Sequence, residues 1–341
     1  MARKNHGKMF VGVGVTLGLM SIPGLIRQMD RNRESRERTE DRPSILDGEE
    51  KKGVRSLDGT ALYVDFLGEK DPTVFFVHGF TNCTQEFYYQ KPYFAEKYRV
   101  VSLDLRGHGR SEIPASRDYH AERFAEDLKA VVDAFEPERF VVAGHSLGGL
   151  TTFKFYELFG KEYEGRLKGL AIIDSTGIDI SSKLSSGFTL KWILLWKYCN
   201  ILMDNNLNRT IFEKLSDSSL YYLLVRWLLS SKRRSASSLE FFQQVGCSTP
   251  IATLKGIAVV AKKEGIRQEY YLPNVNIPVM LLVGSEDDLT KIDRKNRRTY
   301  SLLPDARLKV FEGAGHLALQ EMPEEFNIAL DGFLTEVFHR G

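Results

Sequence analysis

The chain has 341 residues, with 47 Lys and Arg against 45 Asp and Glu for a formal charge of +2. Hydrophobic residues at 43%, aromatics at 11% and charged residues at 27% exclude a wholly disordered or fibrous chain, and so small a net charge gives no reason to expect nucleic acid as a partner. The length fits about two units of ~150 residues, or one large α/β domain with an insertion.

The charge is unevenly spread. Residues 1–42 hold nine basic and five acidic side chains, a net +4, which leaves −2 for the remainder. Met9 to Ile26 contains no charge, with Arg3, Lys4 and Lys8 before it and an Arg-rich stretch after it. As a helix this run spans about 27 Å, just short of the ~30 Å hydrocarbon core. A single-pass membrane anchor through residues 9–26 is expected over a cleaved signal peptide, since no small-x-small cleavage site follows. A buried core helix is disfavoured by Gly12, Gly14, Gly18, Gly24 and Pro23. The five arginines just after the run weakly favour the cytoplasmic face. Residues 27–50 alternate Arg with acids and read as a solvated tether or short exposed helix. Residues 1–50 thus form a leader.

From residue 51 short apolar runs alternate with amphipathic segments. ALYVDFL (61–67) suits an early antiparallel strand, and TVFFVHG (73–79) a strand buried on both faces. A helix is expected over 84–97, a strand at RVVSLD (99–104), a helix from Tyr119 to Phe135, a strand at RFVVAG (139–144) and a helix from Leu147. Strands at LKGLAIID (167–174), PVMLLVG (278–284) and RLKVFEG (307–313) complete the pattern. The fold class is α/β, a doubly wound, mostly parallel sheet. Between Ser175 and Tyr271 the rhythm stops, and long apolar and aromatic side chains read as several inserted helices. The expected organisation is a core over 51–175 and 272–341, interrupted by a helical cap over 176–271 after the sixth strand. The run from Phe188 to Met203 is unusually apolar, fitting either packing on the core or a greasy roof for an acyl chain.

Strand RFVVAG leads into Gly144-His145-Ser146-Leu147-Gly148 and then a helix, which is G-x-S-x-G in its strand–turn–helix setting. The turn lifts the Ser146 hydroxyl clear of the sheet at a helix N-terminus. A serine needs a base to be nucleophilic. Among seven histidines, His6 lies in the leader, His339 at the C-terminus and His120 at a polar helix start, while His145 flanks the serine and should point away from it. His78 and His108 follow strands in glycine-bearing loops and suit structural hydrogen bonds. His316, in the small-residue loop after the last strand, completes the order Ser…Asp…His. The acid is expected at Asp287 in Gly284-Ser285-Glu286-Asp287-Asp288, with Asp288 and Asp174 as competitors and Glu286 a solvated neighbour. The oxyanion donors are expected to be the N–H groups of Leu147 and Phe80.

With HGF (78–80), DLRGHGRS (104–111), GHSLGG (144–149), GSED (284–287) and GAGH (313–316), the chain resembles the α/β-hydrolase superfamily with a helical cap. It is similar to serine esterases, monoacylglycerol-lipase-like enzymes and cofactor-free haloperoxidases. The resemblance implies that the loop at Asp104–Gly107 is mostly structural. Dehalogenases and epoxide hydrolases of this fold carry aspartate where this chain has Ser146, which argues against halide release and epoxide opening.

Other constellations fail. No GxxxxGK[ST] or HExxH occurs, so no cofactor or metal is expected. Cys83, Cys199 and Cys247 form no CxxC pair, and a disulfide framework is not expected. The sequons at Asn82 and Asn208 are discounted, because a sugar at Asn82 would obstruct the oxyanion loop. The expected activity is hydrolysis of medium- or long-chain carboxylic esters through a seryl acyl-enzyme, with a small-molecule acyl ester as substrate and the membrane reached through the N-terminal segment. Acyl transfer or perhydrolysis by the same triad is the enzymatic alternative, and a non-catalytic binding protein on a retired hydrolase fold is the other.

Overall fold

The computed structural model describes residues 23–32, 49–50, 53–177, 219–229, 231–232, 236–264, 268–287 and 296–340. Eight strands, β1 (Glu49–Glu50), β2 (Val64–Leu67), β3 (Thr73–Val77), β4 (Arg99–Leu103), β5 (Phe140–His145), β6 (Leu167–Ile173), β7 (Val279–Gly284) and β8 (Ala306–Phe311), form one sheet in the order β1-β2-β4-β3-β5-β6-β7-β8. β1 pairs antiparallel with β2 and β2 antiparallel with β4, whereas the pairs from β4 through β8 are parallel. The described helices are α1 (residues 23–32), α2 (Gln90–Ala95), α3 (Ala121–Phe135), α4 (Leu147–Phe159), α5 (Ser219–Leu228), α6 (Ala236–Ser248), α7 (Ile251–Glu264), α8 (Arg297–Leu302), α9 (Ala318–Glu321) and α10 (Pro323–His339).

The continuous apolar run of β3 follows from having both faces covered. Successive strand residues point to opposite faces. Val74 and Phe76 therefore enter one core with Phe94, Phe326 and Leu330, while Phe75 and Val77 enter the other with Leu128, Val131 and Phe153. All five residues of β3 are buried, and burial of each such Val or Phe contributes about 1.5–3 kcal/mol.

The helix expected over 84–97 is broken. A short 3-10 turn over Thr84–Phe87 is followed by α2 from Gln90. Pro92 falls in the first turn of α2; deeper in a longer helix it would remove a hydrogen bond and clash with the preceding turn. The sheet also reaches into the segment read as tether, since Glu49 and Glu50 pair with Phe66 and Asp65.

The described inserted helices α5, α6 and α7 lie between β6 and β7 in the chain. Tyr222, Val225, Leu229 and Leu239 form an apolar cluster with Leu317, the residue after His316. On α7, the Thr253 hydroxyl donates to the Gly107 carbonyl at 3.0 Å. The apolar run from Phe188 to Met203 lies outside the described residues, as does Asn208.

The leader departs most from expectation. Among the described residues no helix is long and apolar enough to cross a membrane, so the anchor-like helix expected over residues 9–26 finds no support. Residues 9–22 lie outside the described residues, and residues 23–26 belong to α1. Nor are the arginines of α1 simply solvated. Arg27 and Arg31 pair with Glu240 at 2.9 and 2.6 Å, and Asp30 pairs with Arg226 at 2.7 Å and accepts from the Tyr222 hydroxyl at 3.1 Å.

Candidate active site

Ser146 sits between β5 and α4 with φ 49° and ψ −111°, a region that costs a side-chain-bearing residue free energy. Its surroundings hold it there. The Ser146 N–H donates to the Ile173 carbonyl at 2.9 Å, and its own carbonyl accepts from the Ser175 hydroxyl at 2.7 Å and the Gly149 N–H at 3.0 Å. The flanking glycines allow the turn by close approach. A Cβ on Gly144 would lie 2.2 Å from the Gly148 carbonyl oxygen, and one on Gly148 would lie 2.0 Å from that of Val77. The serine thus stands at the N-terminus of a 13-residue helix, whose dipole favours developing negative charge.

Residues from three separate segments converge on this hydroxyl. His316 Nε2 lies 3.0 Å from Ser146 Oγ, and His316 Nδ1 lies 2.9 Å from Asp287 Oδ2. Asp287 accepts at Nδ1–H, which leaves Nε2 as the acceptor for the serine hydroxyl; that tautomer is assigned from the network. Both side chains are buried, Asp287 at 3% and His316 at 7% exposure. No other described histidine is bonded to Ser146. His78 accepts from the Leu105 N–H at 2.9 Å and bonds the Gly79 carbonyl at 2.7 Å; burial, then His108, hold it well below the usual histidine range. Burial lowers His108 to about 4. His120 pairs with Asp118. His339 bonds the Thr335 carbonyl within α10.

The competing acids have other partners. Asp174, fully buried at the end of β6, accepts from the Gly284 N–H at 2.8 Å and the Ala318 N–H at 3.1 Å. It therefore ties the end of β7 to the start of α9, the two loops that carry Asp287 and His316. Burial, then the nearby Asp287, raise it to about 7. Glu286 is not merely solvated: it pairs with the Lys232 ammonium at 2.7 Å and accepts the Lys232 N–H at 2.6 Å. Asp288 lies outside the described residues.

The loop after β3 carries Phe80 and runs against the elbow. A Cβ on Gly79 would lie 3.3 Å from Ser146 Cβ and 2.7 Å from His145 Nδ1. Gly79, the neighbour of the expected oxyanion donor Phe80, thus packs against the elbow that carries Ser146 and the other expected donor, Leu147. Cys83, in the same loop, is buried, and burial, then Asp104, push its thiol up and keep it protonated. The Asp104–Gly107 loop is structural: Asp104 accepts the Thr84 and Arg110 N–H groups at 2.6 and 2.8 Å, and buried Arg106 grips Asp127 with two bonds of 2.7 and 2.6 Å.

Two neighbours of the site escaped the sequence reading. Glu86 is fully buried and accepts the Gly79 N–H at 2.8 Å. Glu321 accepts the Gly315 N–H at 2.6 Å and the hydroxyl of Ser231, in the inserted segment, at 2.9 Å. Their sequence positions carry no motif; only the fold brings them here. Among the described residues no group of three or more His, Cys, Asp and Glu is arranged to hold a metal ion.

Known proteins with related sequences and structures extend this picture. The family described as the alpha/beta hydrolase fold matches residues 72–323. Epoxide hydrolase 1 of Caenorhabditis elegans is 27% identical over 120 residues, covering 35% of this chain and 30% of that protein. Epoxide hydrolase 3 of Xenopus tropicalis is 24% identical over 289 residues, 81% of this chain and 75% of that protein. A crystal structure of a putative aryl esterase from Burkholderia cenocepacia superposes with a TM-score of 0.68 at 22% identity, covering 86% of this chain and all of that one. The chain belongs to the α/β-hydrolase fold family.

Proposed function

We propose that the protein is a serine hydrolase of carboxylic esters. One observation carries the reading: Ser146 Oγ lies 3.0 Å from His316 Nε2, whose other nitrogen lies 2.9 Å from Asp287. In this reading Ser146 Oγ attacks the ester carbonyl carbon while its proton passes to His316 Nε2. Asp287 holds the ring and balances the imidazolium, and the Phe80 and Leu147 N–H groups take the oxyanion. The tetrahedral intermediate expels the alkoxide, which leaves with the proton from His316. Water, deprotonated by His316, then cleaves the acyl-enzyme and restores the serine.

The similarity to epoxide hydrolases does not transfer their reaction. Opening an epoxide with a serine oxygen would leave an ether, which has no carbonyl for water to attack. With serine at position 146, turnover requires a substrate that supplies its own carbonyl, as an ester does. The apolar aromatic composition of the inserted segment favours medium or long acyl chains.

Wild-type protein should react with a fluorophosphonate probe and hydrolyse p-nitrophenyl esters across an acyl-chain series. Ser146→Ala should lose the labelling and at least about 10⁴-fold in kcat. Labelling that persists in the variant would overturn the assignment of the nucleophile. A wild type inert to every such probe would favour a non-catalytic role.

A further inference from the structure

The residue before the nucleophile makes a buried contact that the ester chemistry above does not use. His145 ends β5 with an oxygen close to each ring nitrogen. Nε2 lies 2.9 Å from the main-chain carbonyl oxygen of His316, and Nδ1 lies 2.8 Å from Glu86 Oε1. A carbonyl oxygen only accepts, so Nε2 carries a hydrogen; at 2.8 Å a bare Nδ1 lone pair and a carboxylate oxygen would repel each other, so Nδ1 carries one too. The ring is then an imidazolium. Nδ1 meets Glu86 off its N–H axis, so charge more than directional bonding carries that contact. The two side chains are 2% and 0% exposed.

This pair touches both halves of the proposed machinery. The other Glu86 oxygen, Oε2, accepts the Gly79 N–H at 2.8 Å, one residue before the expected oxyanion donor Phe80. Oε1 also accepts from the Asn82 side chain within the same loop. On the far side, the imidazolium grips the carbonyl of the residue that carries the proposed base, and the His145 and His316 ring centroids are 5.0 Å apart. The oxyanion loop, the elbow and the His316 loop are therefore joined through one carboxylate and one ring.

We propose that Glu86 and His145 form a buried carboxylate–imidazolium pair that positions the Gly79–Phe80 loop and the His316 main chain relative to Ser146. Neither is a catalytic residue; both act through others. The positioning role rests on the serine-hydrolase reading, whereas the charge state of the pair does not.

The charges around His145 agree with this state. Glu86 faces it from the 3-10 turn, Asp174 from the end of β6, His78 from the end of β3 and His316 from its own loop. Burial alone would lower its pKa, but Glu86, followed by Asp174 and the His316 carbonyl, outweighs burial and raises it to about 9. Above that pH the loss of the Nδ1 proton turns a lone pair toward the carboxylate, and the three segments lose their tie.

The charge state is read directly on full-length protein with ¹³C,¹⁵N-labelled histidine, the His145 ring signals being assigned by through-bond correlation to the backbone of the wild type. Both nitrogens should show imidazolium shifts at pH 7.5 and titrate with a midpoint near 9. A neutral tautomer at pH 7.5 would overturn the proposal even if no variant folds. For the positioning role, Glu86→Gln and His145→Asn should each lower kcat and the fluorophosphonate labelling rate by about 10- to 100-fold with KM within about threefold. The double variant should be no slower than the slower single one. Losses that multiply, or a labelling rate unchanged in Glu86→Gln, would overturn the role. Failure of wild-type protein to label at all would instead overturn the hydrolase reading.

Discussion

Replacing Glu321 by Gln should stabilise the protein at alkaline pH and leave its stability nearly unchanged at pH 5. Glu321 is 6% exposed and accepts hydrogen bonds from the Gly315 N–H and the Ser231 hydroxyl. Those donors favour the carboxylate, but burial, reinforced by Asp174 and Asp287, raises the pKa from 4.5 to about 7. A carboxyl whose pKa is higher folded than unfolded binds its proton more tightly when folded. Its contribution to stability is therefore fully present below 4.5 and is lost as pH rises through 7. The interval corresponds to about 3 kcal/mol at most. Glutamine keeps an acceptor for the Gly315 N–H without the charge, so Glu321→Gln should gain about 1–3 kcal/mol over the wild type at pH 8.5. Urea and thermal melts of both proteins at pH 5 and 8.5 measure this. A variant less stable at pH 8.5, or offset equally at both pH values, would refute the reasoning and show that the two donors stabilise the ion.

Asp287→Asn should lower kcat about 10³- to 10⁴-fold at neutral pH by favouring the wrong His316 tautomer. Asp174→Asn should mainly cost about 1–3 kcal/mol of stability, because its new amide must face one of two backbone N–H groups; ester-hydrolysis kinetics beside thermal melts separate the two, and a reversed ranking of the kcat losses would make Asp174 the acid. Gly148→Ala should destabilise by more than about 4 kcal/mol, since its Cβ would lie 2.0 Å from the Val77 oxygen. A circular-dichroism melt close to wild type would mean that β3 and α4 can separate at little cost.

The sheet was readable because its strands are apolar runs of the length and spacing that two-sided burial demands. TVFFV is such a run, and the structure puts Val74 and Phe75 into opposite cores. Ser146, Asp287 and His316 each stand in a loop beyond a strand, and parallel pairing sets those loops side by side. What the sequence left dark depends on contacts across the chain. Glu86 reads as one more acid in a polar turn, and its pairing with His145 exists only because β3 and β5 are neighbours. Asp174 reads in sequence as a competing acid for His316, whereas its two backbone bonds make it a brace between loops. The 84–97 segment has helical composition throughout, but Pro92 fixes where the α-helix begins. In the leader, alternating Arg and acid looks the same in sequence whether water or Glu240 is the partner.

The docking of α1 bears on what counts as the folded unit. Glu240, with only 11% of its side chain exposed, faces Arg27 and Arg31, and Arg226 and Tyr222 face Asp30. A chain trimmed to begin near residue 45, a natural choice for removing the uncharged run, would strip all of these partners from α5 and α6 together. It would leave a mostly buried carboxylate without its two arginines, an arrangement that buried charges tolerate poorly. The N-terminal boundary thus sets the condition of helices roughly two hundred residues further along the chain.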